Sequence, residues 1–228
     1  GAGAGNPPVV VDETADIAKA AHDIVLGASF DNNLPCISEK VAIVVEEVAQ
    51  KLMDAFKNEN VYILNDDEAR AITEKVIVEG AVNKELVGKD ASYILRQIKV
   101  EPISDVRLLI MPADKDHPLV HHEQLMPVLP VVTVSDVDEA IDFAVKCEQG
   151  NRHTAIMHSK NVDHMTKYAR AIETTIFVKN GPSYAGIGMG GEGFTTFTIA
   201  GPTGEGLTSA RSFTRQRRCI LVDGFRIV

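Results

Sequence analysis

Ala28-Ser-Phe-Asp-Asn-Asn-Leu-Pro-Cys-Ile-Ser-Glu-Lys-Val-Ala-Ile-Val-Val45 holds the transition on which the fold turns. A helical pattern runs into it: Ile17, Ala20, Ala21, Ile24, Val25 and Ala28 recur at i, i+3, i+4 and i+7. A short run, Lys40-Val-Ala-Ile-Val-Val45, leaves it as a buried strand. Between them lies a polar turn, Asp31-Asn-Asn-Leu-Pro35, that ends on Cys36. Pro35 fixes its own φ and pushes Leu34 towards extended geometry, so the thiol leaves a constrained backbone. That suits a nucleophile. It equally suits the first residue of a core strand, and free cysteines are mostly buried and inert. On these residues alone both roles stand.

The alternation continues outward. Val9-Val-Val11 precedes the first helix as a short buried strand, with Asp12 or Thr14 as its cap and Gly27 near its stop. Glu46–Phe56 is helical, Val61–Leu64 extended, and Asn65-Asp-Asp-Glu68 caps a helix to about Val78. A small helix covers Ala91–Ile98. Strands are expected at Val106–Met111, Pro127–Val134, Thr154–His158 and Thr175–Lys179, with helices capped by Ser135 and Asn161 between the later ones. Strands and helices in turn imply an α/β fold with an open, mostly parallel sheet covered by helices. Arg218–Val222 and Phe225–Val228 read as terminal strands about an Asp223-Gly224 turn.

Composition narrows the function classes. The chain has 228 residues, 45% of them hydrophobic and 24% charged, which suits a globular protein with a full core. A formal net charge of −9 argues against nucleic acid as a partner. No apolar run reaches the roughly eighteen residues of a membrane span, and no signal peptide precedes the first strand. Three cysteines without Cys-x-x-Cys spacing fit a reducing cytoplasm better than a disulfide framework. The abrupt Gly1-Ala-Gly-Ala-Gly5 opening reads as the cut edge of something longer.

Other motifs are weaker. Neither Gly1–Gly5 nor Gly186–Gly193 shows the strand-to-helix context of a dinucleotide fingerprint, and the second is expected to be a flexible surface segment. His117, His121, His122 and Glu123 match no standard metal spacing, so no metal is expected. Cys147 and Cys219 read as structural. Arg211, Arg215, Arg217 and Arg218 suggest a solvated face or an intersubunit contact.

The order Gly5-Asn-Pro-Pro-Val-Val-Val-Asp-Glu-Thr-Ala-Asp-Ile17, then Cys36, then Glu123-Gln-Leu-Met-Pro127 carries a resemblance. It is similar to the catalytic half of the aldehyde dehydrogenase superfamily. Within that superfamily it looks most like the CoA-acylating acetaldehyde and propionaldehyde dehydrogenases of ethanolamine and propanediol utilisation. The likeness runs through Gly201-Pro-Thr-Gly-Glu-Gly206 to Arg217-Arg-Cys-Ile-Leu221. It implies that Cys36 attacks an aldehyde, passes hydride to NAD and hands its acyl group to coenzyme A. Glu123, in a Glu-x-x-x-Pro pattern with Pro127, would contact the nicotinamide ribose. The glutamate that activates water in hydrolytic members falls, without gaps, on Ala2, and no acidic residue precedes Asp12. That substitution favours a thiol over water as acyl acceptor.

The resemblance further implies three parts: residues 1–12 ending a truncated nucleotide-binding domain, 13–213 a catalytic domain, and 214–228 an oligomerisation arm. The partners would be a short-chain aldehyde, CoA, further copies of the chain and, for a full-length protein, shell or cargo proteins of a bacterial microcompartment. The chain by itself is expected to lack the full redox cycle. Two alternatives share the residues: a phosphorylating semialdehyde or acyl-phosphate reductase of the same superfamily, and a non-catalytic scaffold with Cys36 buried.

Overall fold

The structure is a computed structural model and describes residues 3–102, 104–192, 195–200 and 206–224. In chain order the elements are β1 (Pro8–Val11), α1 (Ile17–Ala28), β2 (Val41–Val45), α2 (Glu46–Phe56), β3 (Val61–Ile63) and α3 (Asp66–Val76). A small hairpin, β4 (Ile77–Val78) and β5 (Ala81–Val82), leads to α4 (Ala91–Arg96). Then come β6 (Leu108–Pro112), β7 (Val128–Val134), α5 (Val137–Glu148), β8 (Thr154–His158), α6 (Val162–Ile172) and β9 (Ile176–Lys179). A second hairpin pairs β10 (Ile199–Ala200) with β11 (Gly206–Leu207).

Seven strands form one sheet in the order β3-β6-β7-β2-β1-β8-β9, and every pairing in it is parallel. The crossovers explain the layers. The connections through α1 and α2 run towards the β3 edge, and those through α5 and α6 run towards the β9 edge. Right-handed crossovers in opposite directions place their helices on opposite faces. Accordingly α1 packs on α2 and α5 packs on α6. A sheet covered on both faces needs strands apolar on both sides, and β1 and β2 are buried at every residue. Towards the other edge β6 serves two cores. Leu108 and Ile110 join the main one, while Leu109 and Met111 join a smaller one built on Ile72, Ile94 and Leu95.

Several expectations shift. Pro8–Val11, assigned to the stretch before the catalytic domain, is an interior strand bonded to β2 on one side and β8 on the other. Asp16 caps α1, because Asp12 instead accepts from the Thr14 amide and hydroxyl. Asp136 rather than Ser135 caps α5. Residues 218–222 form no strand in the single chain and are exposed, as expected of a segment with no ladder to join. Phe225–Val228 lies outside the described residues. The glycine-rich stretch is not a free surface loop at its start: Ser183–Ile187 is a 3-10 turn, and Gly186 sits where a Cβ would meet the Ile176 side chain. Gly193 lies outside the described residues. Among the described residues no helix is long and apolar enough to cross a membrane.

Buried titratable groups set the acid response. Burial, with the Lys40 ammonium, lowers the His153 imidazole from 6.5 to about 4. Burial, with Lys19, does the same for His158. Burial raises Glu39 from 4.5 to about 7. Between about 6.5 and 4 the unfolded chain takes up protons on both histidines that the folded chain refuses, so their contribution is lost as pH falls. Glu39 has the opposite sign: its contribution is complete below 4.5 and is lost as pH rises through 7. The urea midpoint of Glu39→Gln is expected to lose ground on the wild type as pH falls from 7 to 4.5, because the variant lacks the proton that the folded wild type takes up there. A constant difference between the two would contradict this assignment.

Candidate active site

The Cys36 thiol sits just before β2, at the amino-terminal edge of the sheet. Ligands of open α/β sheets usually bind beyond the opposite, carboxyl edge. That edge here carries a cavity of about 610 Å³, lined by Asp66, Pro112, Asp114, Lys115 and Thr133. It holds no thiol. The cavity of about 360 Å³ at the amino edge does. Leu34, Pro35, Ile37, Ile187, Phe197 and Ile199 make its apolar wall, with Asp31 and Cys36 as its polar members.

The turn that presents the thiol is unusual. Asp31, Asn32 and Asn33 all have left-handed backbones, with φ of 45°, 52° and 63°. Asparagine and aspartate tolerate that region because their short side chains bond locally. Asn33 is buried and donates from Nδ2 to Ala28 O at 2.7 Å and to Glu39 O at 3.0 Å. Asn32 donates to Gly88 O at 3.0 Å. Both asparagines therefore build the turn, as their types suggest.

Glu123 reaches the same place from the loop before β7. Its Oε1 accepts from the Gly5 amide at 3.2 Å. Gln124, fully buried, donates to the Leu119 carbonyl and to Lys40 O at 3.3 Å, tying this loop to the segment after Cys36. Pro127 is buried, and its carbonyl accepts from Leu109 N at 2.9 Å. It meets the site only by fixing where β7 begins. His153, ahead of β8, packs on Gly5: a Cβ there would lie 3.2 Å from the imidazole Cγ.

The electrostatics are balanced around sulfur. Burial pushes the Cys36 thiol up, and the Glu123 carboxylate adds to that. The backbone N–H groups of Cys36 and Ile37, and the Lys40 ammonium, pull it down. Burial also raises Glu123, against Lys40 and the Gly5 amide. The resting thiol is thus protonated and lies beside a carboxylate and two amide dipoles. Attack on a carbonyl would place the developing oxyanion near such amides.

The remaining candidates are accounted for. Burial drives the Cys147 thiol up to about 12, which leaves it inert. Cys219 is exposed. The loop histidines bond to backbone: His121 Nε2 to Lys115 O, His122 Nδ1 to Pro118 O, and His117 Nδ1 to the Leu119 amide. At the carboxyl edge Asp12, Glu13 and His164 cluster. There Asp12 is already bonded to Ser159, Thr14 and His164. Lys40, Gln124, Gly5 and His153 were not legible as site residues. The available signal was a lysine directly ahead of a fully apolar strand, a place where a charge is rarely buried.

The aldehyde dehydrogenase family model matches residues 106–203, which include the Glu123 loop, β7 and β8. Propanal dehydrogenase (CoA-propanoylating) of Citrobacter freundii is 57% identical over all of this chain and 50% of its own length. Residues 106–203 carry an aldehyde dehydrogenase family domain. The acetylating acetaldehyde dehydrogenase EutE of Escherichia coli is 52% identical, again over the whole chain and 50% of the relative. The chain thus spans about half the length of the curated relatives it matches. Among solved family members, Rhodopseudomonas palustris propionaldehyde dehydrogenase with bound CoA and an acylated cysteine superposes with a TM-score of 0.93 at 53% identity. It covers 97% of this chain and 51% of that one. A propionaldehyde dehydrogenase from the Clostridium phytofermentans fucose utilisation bacterial microcompartment gives 0.92 at 51%, covering 99% and 52%.

Proposed function

We propose that this chain carries the acyl-transfer centre of a CoA-acylating aldehyde dehydrogenase acting on acetaldehyde or propionaldehyde, with Cys36 as the acyl carrier. The observation that carries the reading is the half-buried thiol at the mouth of a small apolar cavity, in a fold whose relatives include one with an acylated cysteine. A cavity of about 360 Å³ walled by Leu34, Ile37 and Ile187 suits a short alkyl chain.

Cys36 sulfur adds to the aldehyde carbon as its proton passes to solvent water, and the carbonyl oxygen takes up the charge beside the Cys36 and Ile37 amides. Loss of hydride from that carbon leaves a thioester on Cys36. NAD, when bound, supplies the hydride acceptor. Glu123 fits a role in holding it: one oxygen takes the Gly5 amide, and the other has no hydrogen bond among the described residues and is free to accept from ribose hydroxyls. Pro127 holds that loop in place. The CoA thiol then attacks the thioester carbon, forms acyl-CoA and returns the Cys36 thiol. Ala2, where hydrolytic relatives would carry a base, lies outside the described residues. Without such a base the thioester waits for a thiol.

The half-reaction runs backwards without hydride transfer. Incubation with propionyl-CoA is expected to add one propionyl group by intact mass, and Cys36→Ser to add none. No adduct, together with Cys36 alkylated no faster than Cys219, would sink the assignment.

The division into a catalytic part, 13–213, and an arm, 214–228, belongs to the same proposal, with Pro8–Val11 built into the catalytic sheet. The arm exposes Ile220, Leu221 and Val222, and β9 ends the sheet with an open edge. Pairing of arm and edge between copies would cover both. Sedimentation of the chain shortened at Thr214 is expected to show loss of self-association. The same proposal extends to residence in a bacterial microcompartment, with shell or cargo proteins as neighbours, and is supported by a similar protein that comes from one.

A further inference from the structure

Lys40 is a charged residue buried near the thiol. Its side chain is fully buried, and burying an ammonium is strongly unfavourable unless it is paired and bonded. All three ammonium protons have acceptors: Asn33 O at 2.8 Å, Asn33 Oδ1, and Pro35 O at 3.3 Å. Those acceptors belong to the left-handed turn and to the peptide that enters Cys36. Three consecutive non-glycine residues in that region are uncommon even for Asp and Asn, so the turn needs to be held. The charged and titratable groups facing Lys40 are Glu123 and Cys36 across the site, Glu39 beside it in sequence, and His153 from the start of β8. A neutral side chain of similar length would fill the space at lower cost, so the charge itself needs a reason.

We propose that Lys40 is a positioning residue for Cys36: its ammonium locks the turn that presents the thiol and offsets the Glu123 charge at sulfur. This rests on the reading of Cys36 as the nucleophile.

The test follows alkylation of Cys36 by iodoacetamide from pH 6 to 10 in the full chain, with exposed Cys219 as internal reference. Lys40→Met is expected to slow Cys36 at neutral pH by about tenfold, the equivalent of one pKa unit. It should also move the rise of its pH profile upward and leave Cys219 unchanged. Lys40→Arg should recover most of the rate. A wild-type profile in Lys40→Met would overturn the proposal. Buried Cys147 reports folding. If it becomes reactive in both variants, [13Cε]lysine NMR of the wild type and Glu123→Gln decides. One lysine should titrate near 8, well below the others, and lower still without the Glu123 carboxylate. Ordinary titration of every lysine would overturn it. A wild type that takes no acyl group, yet whose Cys36 profile still depends on Lys40, would instead refute the nucleophile reading.

Discussion

Gly5→Ala is expected to slow acylation of Cys36 by roughly a hundredfold, the penalty for displacing a reacting group by about an ångström. Gly5 is the point where three parts of the site touch. Its amide donates to Glu123 Oε1. A Cβ on it would lie 2.8 Å from the Cys36 carbonyl oxygen and 3.2 Å from His153 Cγ. Neither neighbour can yield. The Cys36 carbonyl belongs to backbone held through Pro35 and Asn33 by Lys40. The His153 ring is buried, with Nδ1 bonded to Thr154 Oγ1 at 2.8 Å. The added methyl must therefore part residue 5 from residue 36, taking the Glu123 contact with it. Rate constants for propionyl transfer from propionyl-CoA, read by intact mass, check this. A variant within twofold of wild type would show that the close approach is dispensable.

Gly27→Ala is expected to lower stability by about 3 kcal/mol, the upper range for overpacking a core. In a chain of this size that is roughly 6–12 °C in Tm. The sign is the point. Glycine to alanine inside an exposed helix ordinarily gains about 1 kcal/mol. Here the Cβ would overlap both carboxylate oxygens of Glu39. A carboxylate at the end of a flexible side chain could normally swing away. Glu39 is 1% exposed, and its Oε1 is held by the Ser183 amide at 2.9 Å. Displacing it frees the 183–187 turn, which carries Ile187 of the cavity wall. Thermal unfolding by circular dichroism settles the sign, and an unchanged or higher Tm would mean that Glu39 has room to move.

Legibility followed the range of the interaction involved. Thr154–His158 is legible with its bounds because a strand buried on both faces shows as an apolar run, and the strand expected from Lys40 begins one residue on, at Val41. Asn161 was read as a cap because its side chain bonds to amides two and three residues on. Ser135 was misread for Asp136 because two capping residues stand in tandem and only the backbone decides between them. The strand expected at 218–222 needs a partner that one chain does not supply. Lys40 read as the polar edge of a strand, since its acceptors depend on the left-handed turn that its own charge helps to hold.

By itself the sequence determined the alternation of strands and helices, the α/β class and the resemblance to aldehyde dehydrogenases. All of these rest on patterns within a few residues or on their order along the chain. Tertiary structure decided the strand order, with β1 inside the sheet rather than ahead of it, and the edge of the sheet at which the chemistry sits. It also decided the company Cys36 keeps. Gly5 and Glu123 meet across 118 positions. Parallel strands start at one common edge, so the loops before β1, β2, β7 and β8 converge there however far apart they lie in the chain.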